Sequence, residues 1–565
     1  MKSWLEETHG PTFELIRHFL TRYFDSDIVT TPGQWITVFV GGFAVFLSAF
    51  LLVSQSLLHK YNQLAVQAAA QVYGDAVRAD ELWLVTAAMG VIGLLTAVNW
   101  QSLLPTAHDY FALGSLPLRA WRVFVAKFVA LFLLVTTATA SVNLLPSLAF
   151  PVTVRSSLIA NGSVFSHIGA HAISASLGSY FFFFALLGLQ ALLLNMLPRR
   201  LFAYVTAIVQ AAAITAMLAL IILSASIEPS VLDYVLRDGL RQWIPPVWFL
   251  GLYETLLGHS TPVFQELTGY ALTGVSISCL AATALYALSY SRHNALLLAG
   301  TGVQVKWGAL ASRLLDRAIP NPREQAVFVM MLQVLTRSAQ HRMILMAYVG
   351  FVVAMIASGV FGTAQWFGSE WARLSSFLYG HLVALIFLFI GMRHLFSLPV
   401  ALSANWIFQI TEREGRRDWV RAVDRFMVIF VIGGIVILPM PLEFAIIGRA
   451  ALREVALAFV GGVFLYGTMF FDVEKLPFTC SYLPGKMPPW AMVVIFIGII
   501  SLLPFVCGLL TAALSNSGAL FVLLSLLIVL SISVHRSRQA TLGALALKYE
   551  EAPDPAVLSL HLPGK

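Results

Sequence analysis

An all-α polytopic membrane protein of about twelve transmembrane helices, in two six-helix halves and with an N-terminal interfacial amphipathic helix, is the fold class this sequence predicts. The first observation behind it is composition. Of 565 residues, 59% are hydrophobic and only 11% charged, and the mean hydropathy is +0.82. Ordinary globular chains carry roughly 25% charged residues, and apolar runs of about 20 residues do not assemble a soluble core. The second observation is that the basic residues collect in alternate connections. The formal charge of +7 therefore reads as membrane topology, with no nucleic acid as partner. The third is a hydropathy pattern that recurs in the two halves, residues 1–300 and 301–565.

Taken in order, the first segment scatters Glu6, Glu7, Glu14, Asp25 and Asp27 among apolar positions. That is not the basic start, apolar core and small-residue cleavage site of a secretory signal, so the N-terminus is expected to stay. Residues 12–24 put Phe13, Ile16, Phe19, Leu20 and Tyr23 at helical spacing, with Glu14, Arg17 and Arg22 among the polar positions. This reads as a helix lying on the inner leaflet, in contact with membrane lipids. Spans are expected in the first half at about 34–58, 82–103, 122–149, 169–196, 201–225 and 267–290. Between the fifth and sixth, Pro245 and Pro246 lead an apolar helix too short to span, which lies at the interface or dips in and returns. Residues 291–342, with Lys306, Arg313, Arg317, Arg323, Arg337 and Arg342, form a cytosolic connection. The second half is expected to span at about 343–363, 376–400, 426–440, 453–471, 489–511 and 516–534, the ninth being the shortest. With both termini cytosolic, most of the 35 Lys and Arg residues fall on the cytosolic side, which is the orientation the positive-inside rule selects.

The most informative stretch is the polar interruption LLPTAHDYFALGSLPLRAWRVFVAK, residues 103–127. Pro105 and Pro117 limit helix at its two ends and Gly114 permits a tight turn, so a short helix with sharp corners is expected across the membrane surface. Asp109 comes first, and Arg119, Arg122 and Lys127 follow where the chain re-enters the bilayer. Two readings compete on residue chemistry: a stop signal with snorkelling basic anchors, or an acidic-then-basic docking surface for a soluble partner. A second interruption at 405–425 carries Glu412, Glu414, Arg416, Arg417 and Arg421.

The string Asp109, Tyr110, Leu113 to Pro117, Arg122 and Lys127 resembles the cytosolic loop of ABC-2-type exporter permeases. The amphipathic helix before the first span and the short proline-led helix before the sixth are similar to features of that fold. LPFTCSYLPGK (Leu476 to Lys486) and YEEAPDPAV (Tyr549 to Val557) resemble tags of a subgroup of large bacterial permeases that fuse two such halves. The resemblance covers most of the chain in topology but only some fifty residues in motif. It implies a multi-pass permease of the bacterial inner membrane, with both termini cytosolic. Its loop at 105–121 would be a coupling helix docking on a separate ATPase subunit, in two copies if both halves dock. A homodimer would serve if only one half docks. The implied coupling residues are Asp109, Tyr110, Pro117, Arg119, Arg122 and Lys127, with Glu412, Arg416 and Arg417 in the second loop, 405–425. There the Leu-Ser-Pro turn is replaced by charged residues, a departure from the pattern.

No G-x-x-x-x-G-K-[ST] phosphate loop occurs anywhere in the chain. Under this reading ATP and Mg belong to the partner, and the chain holds no cofactor and is not itself an enzyme. Cargo would be lipid-like or amphipathic, since few charges are expected inside the bundle. Two residues are candidates for a gate or pathway. Glu254, on the short proline-led helix, would gate the outer mouth or else cap the helix and face water. Arg393, after a long apolar run, would lie inside the bundle or snorkel to its surface. The histidines show no H-E-x-x-H or other ligand spacing, so no metal is expected, and Cys279, Cys480 and Cys507 form no disulfide framework. Two rival classes remain open. A secondary transporter of the major-facilitator type predicts a G-x-x-x-D-R-x-G-R-R loop and intramembrane carboxylates, which look scarce. A membrane enzyme such as a lipid-linked transferase predicts Asp, Glu or His clustered at one membrane face.

Overall fold

The computed structural model describes residues 10, 12–21, 54–66, 70–103, 113, 120–154, 163–225, 229–237, 239–298, 316–361, 370–400, 405, 418–471, 476–479 and 489–544. These residues are helical almost throughout and contain no strand. Ten of the helices are long and apolar enough to cross a membrane. The chain is thus an all-α polytopic membrane protein. It divides into two compact units, Met1–Val303 and Gln304–Lys565.

The first unit comprises α1 (12–21), α2 (54–66), α3 (Ala70–Val98), α4 (Ala120–Thr153), α5 (Val164–Met196), α6 (Arg199–Ser224), α7 (Pro229–Arg237), α8 (Pro245–Leu256) and α9 (Pro262–Leu298). Helix α5 runs through the middle, packed on α3, α4, α8 and α9. Its Phe183, Leu187 and Leu194 meet Ile92 of α3, Phe124 of α4 and Tyr286 of α9 in one buried cluster. At the end where α3 finishes, the Tyr286 hydroxyl donates to the Leu103 carbonyl at 3.0 Å and Gln210 of α6 donates to Ala97 at 3.0 Å. These bonds satisfy backbone oxygens that a helix terminus leaves open, which matters most where water is scarce.

The second unit comprises α10 (Pro322–Arg337), α11 (Ala339–Phe361), α12 (Glu370–Phe396), α13 (418–436), α14 (Met440–Ile447), α15 (Ala450–Met469), α16 (Pro489–Ser515) and α17 (Ser517–Ala544). Phe328 and Met331 of α10, Phe389 and Phe396 of α12, Phe426 of α13, Tyr466 of α15 and Phe470, which caps α15, share one buried hydrophobic core.

Several boundaries differ from the sequence expectation. The second span begins at Ala70 rather than near 82, so the segment expected as a polar outer connection is the first part of α3. Its charges have partners: Asp80 meets Lys60 of α2 at 2.8 Å and Arg78 meets Glu254 at 3.0 Å. The connection 291–342 contains α10, ordered by the buried stripe Val327, Phe328, Met331 and Leu335. The interruption at 405–425 is helix from residue 418 onward, because Ala422, Val423 and Phe426 recur at helical spacing and are all buried. The ninth span is longer than expected. It includes a π-helical stretch, Met427–Ile432, then bends around Leu438 and Pro439 into α14. Of the span expected at 34–58, residues 34–53 lie outside the described residues and 54–58 open α2.

One packing relation occurs in both units. In the first, Leu15 and Phe19 of α1 bury against Ala126 and Ala130 of α4, with Leu113 of the polar interruption alongside. In the second, Phe328 and Met331 of α10 bury against Val423, Phe426 and Met427 of α13. Each time an amphipathic lead-in helix rests on the opening turns of the helix that follows the polar loop.

Candidate functional site

The two short helices α8 and α14 hold the densest ionic chemistry. Pro245 and Pro246 sit in the first turn of α8, where the missing N–H costs nothing, and Pro439 caps α14 with Pro441 inside its first turn. Both helices stop at glycines in the left-handed region, Gly258 (φ 92°) and Gly448 (φ 59°), which a side chain would disfavour. Each helix carries one buried glutamate, Glu254 (2% exposed) and Glu443 (1% exposed). A carboxylate at such a place needs partners, and both have them.

Around Glu254, Arg78 of α3 donates from Nε to Oε1 at 3.0 Å, and His259 Nδ1 lies 2.6 Å from Oε2. Arg78 also reaches Asp75 at 3.1 Å. Glu81, buried on α3, faces the Tyr253 hydroxyl. Burial, then the nearby Glu81 and Glu254 charges, push the Tyr253 phenol well above its ordinary range. His171 and His167 of α5 turn their rings toward Tyr253, with centroids 5.9 and 6.4 Å away. Beside this group Lys60 donates to both oxygens of Asp80 at 2.9 and 2.8 Å, and the Tyr61 hydroxyl donates to Asp80 as well. Burial, reinforced by Asp80, raises the Tyr61 pKa strongly. Lys60 thus pairs with Asp80, and Arg78 bridges Asp75 and Glu254, so the ionised carboxylates of this group each have a basic partner.

Around Glu443 the arrangement is tighter. His381 of α12 stands between two carboxylates: Nδ1 lies 2.8 Å from Glu454 Oε1 of α15, and Nε2 lies 3.2 Å from Glu443 Oε1. All three side chains are at most 5% exposed. A histidine and two carboxylates enclosed in this way can hold a proton or a cation. A separate ionic group in the same unit joins Asp424 of α13 to Arg538 of α17 at 2.5 Å and to the Tyr466 hydroxyl at 2.6 Å.

The sequence-predicted site residues are spread across the molecule. Lys127 is buried (3% exposed), its ammonium 4.8 Å from the centre of the Phe19 ring of α1. Arg122 is exposed on the first turns of α4. Glu254 is the buried acid of α8 rather than a residue facing water. Arg393 is half-buried and donates to the Met469 carbonyl, tying the end of α12 to that of α15. Asp109, Tyr110, Pro117, Arg119, Glu412, Arg416 and Arg417 lie outside the described residues.

Sequence reasoning missed Arg78, Asp80, Glu81, His381, Glu443 and Glu454, and its expectation that buried carboxylates are scarce is corrected by them. One usable signal was present. Pro-Met-Pro-Leu-Glu at 439–443 repeats the plan of Pro245-Pro246 with Glu254, a proline-led apolar helix enclosing a single acid. Comparison of the chain with protein-family models, with curated proteins and with solved structures found no match.

Proposed function

We propose that this chain is the transmembrane permease of an ABC-type exporter in a bacterial inner membrane, energised by separate ATPase subunits. The observation that carries the reading is the repeated seat of a lead-in helix on the opening turns of α4 and of α13. A partner pressing on the loop at 105–121 would move Leu113, α1 and the start of α4 together, because they share one packed cluster. In the second half the same linkage is reinforced by charge. Glu324 of α10, itself 3% exposed at the side chain, lies 2.6 Å from Arg425 of α13. Stiff linkage of this kind converts a push at the membrane surface into a tilt of spans. ATP and Mg would be bound by the partner, both termini would face the cytosol, and the cargo would be lipid-like or amphipathic.

The test is recovery of the tagged protein from native membranes, with mass spectrometry of what remains bound. A Walker-motif ATPase is expected with wild type and is expected to diminish with Asp109→Ala combined with Arg122→Ala. Absence of any such ATPase, with transport driven by an ion gradient alone, would overturn the proposal. One observation favours that second reading, a secondary transporter: the buried His381, Glu443 and Glu454, since ionisable groups enclosed among apolar spans commonly couple ions to cargo.

A further inference from the structure

We infer that His381, Glu443 and Glu454 form a binding site for a divalent first-row transition cation, which would tie α14 to α12 and α15. This inference is independent of the exporter reading.

The three residues come from three separate helices, and each offers a ligand atom, all within 4.8 Å of one another. One imidazole nitrogen and two carboxylate oxygens are the donor set that zinc, manganese and ferrous iron accept, with further positions left for water or cargo. Small side-chain rotations bring such a set onto one ion, because metal–ligand bonds of about 2.0–2.2 Å place neighbouring ligands closer together than the present outer limit.

Two further observations point to a cation. Glu443 Oε2 and Glu454 Oε2 are both buried and have no hydrogen-bond partner among the described residues, although their side chains are 1% and 0% exposed. The two carboxyl groups also face each other at hydrogen-bonding distance, a contact that needs either a shared proton or a cation between them. The imidazole is already committed on both sides to Glu454 and Glu443, so it cannot also serve the remaining oxygens. When the protons leave the imidazole and both carboxyls, a divalent ion restores a neutral whole, which is what a low-dielectric interior tolerates.

The Ile435 carbonyl, in the last turn of α13, lies beside the His381 ring. An ion here would hold α14, and through it the kink of the ninth span, against the two neighbouring helices.

The experiment is metal analysis of the purified full-length protein after equilibration with Zn2+ or Mn2+ in micromolar excess and removal of free ion. Wild type is expected to retain one equivalent. Glu443→Gln and Glu454→Gln are each expected to weaken retention about tenfold or more, whereas Asp233→Asn, at an exposed surface pair in the other unit, leaves it unchanged. Should the glutamine variants fail to fold, X-ray absorption of the metal-loaded wild type decides, with one imidazole and otherwise oxygen ligands expected. The inference is overturned if wild type retains no stoichiometric ion, if both glutamine variants bind as wild type does, or if the absorption spectrum shows no imidazole ligand.

Discussion

The ammonium of Lys127 lies 4.8 Å from the centre of the Phe19 ring, and both residues are buried. The contact joins the amphipathic lead-in helix to the first turns of α4, with the charge set against the face of the ring where the aromatic quadrupole attracts it. Phe19→Ala should cost about 3 kcal/mol of local packing and release α1 from its seat. Limited trypsin digestion at Arg17 should accelerate about tenfold or more, since local opening governs cleavage. Unchanged digestion would mean that α1 is held by something other than this cluster.

The corresponding joint in the second unit is ionic. Glu324 and Arg425 meet at 2.6 Å, one buried and the other 38% exposed at the side chain. Partial exposure screens the pair, so a double-mutant cycle with Glu324→Gln and Arg425→Gln should give a coupling of about 1 kcal/mol. Thermal unfolding in detergent measures it. A coupling indistinguishable from zero would reduce the pair to a surface contact.

Arg78 is the cation that Glu254 faces across α3 and α8. Arg78→Ala leaves a buried carboxylate with His259 as its remaining close partner, and should destabilise the first unit by about 2 kcal/mol, moderated by the arginine's partial exposure. Adding Glu254→Gln removes the stranded charge, so the double variant should recover most of that loss. If the double variant is less stable than Arg78→Ala alone, charge is not the origin of the effect.

The hydroxyl of Tyr61 donates to Asp80 and is buried, and burial followed by that carboxylate raises its pKa. The fold therefore favours the protonated phenol. Its contribution is fully present below the unfolded value of about 10 and is lost as pH rises beyond it, because the unfolded chain ionises first. Wild-type stability should fall above about pH 10, and Tyr61→Phe should show a shallower fall there. Stability followed against pH by thermal shift checks the slope, and identical slopes would remove Tyr61 from the account.

Hydropathy alone placed most of the long helices, because the cost of leaving a backbone amide unpaired in lipid makes any sufficiently long apolar run helical. It failed where charge is internally matched. Asp75, Arg78, Asp80 and Glu81 looked like a water-facing connection, since Glu254, the partner of Arg78, is 176 residues away along the chain and no window sees both. The lead-in helix 12–21 was legible from its periodicity, as was the short helix behind Pro245 and Pro246. The face on which each rests was not.

Composition and the spacing of apolar runs were enough to read a helical membrane protein, the approximate position of most long apolar helices, and a short proline-led helix that does not cross. Those properties depend on local composition and on the length of each run. Packing between helices set Lys127 against Phe19, Glu254 between Arg78 and His259, and His381, Glu443 and Glu454 in one buried site. The physical reason is that a single charged residue in an apolar helix is equally compatible with snorkelling, pairing or ligating. Which of these occurs depends on the residues that other helices bring within a few ångströms, and no local pattern in the sequence records that.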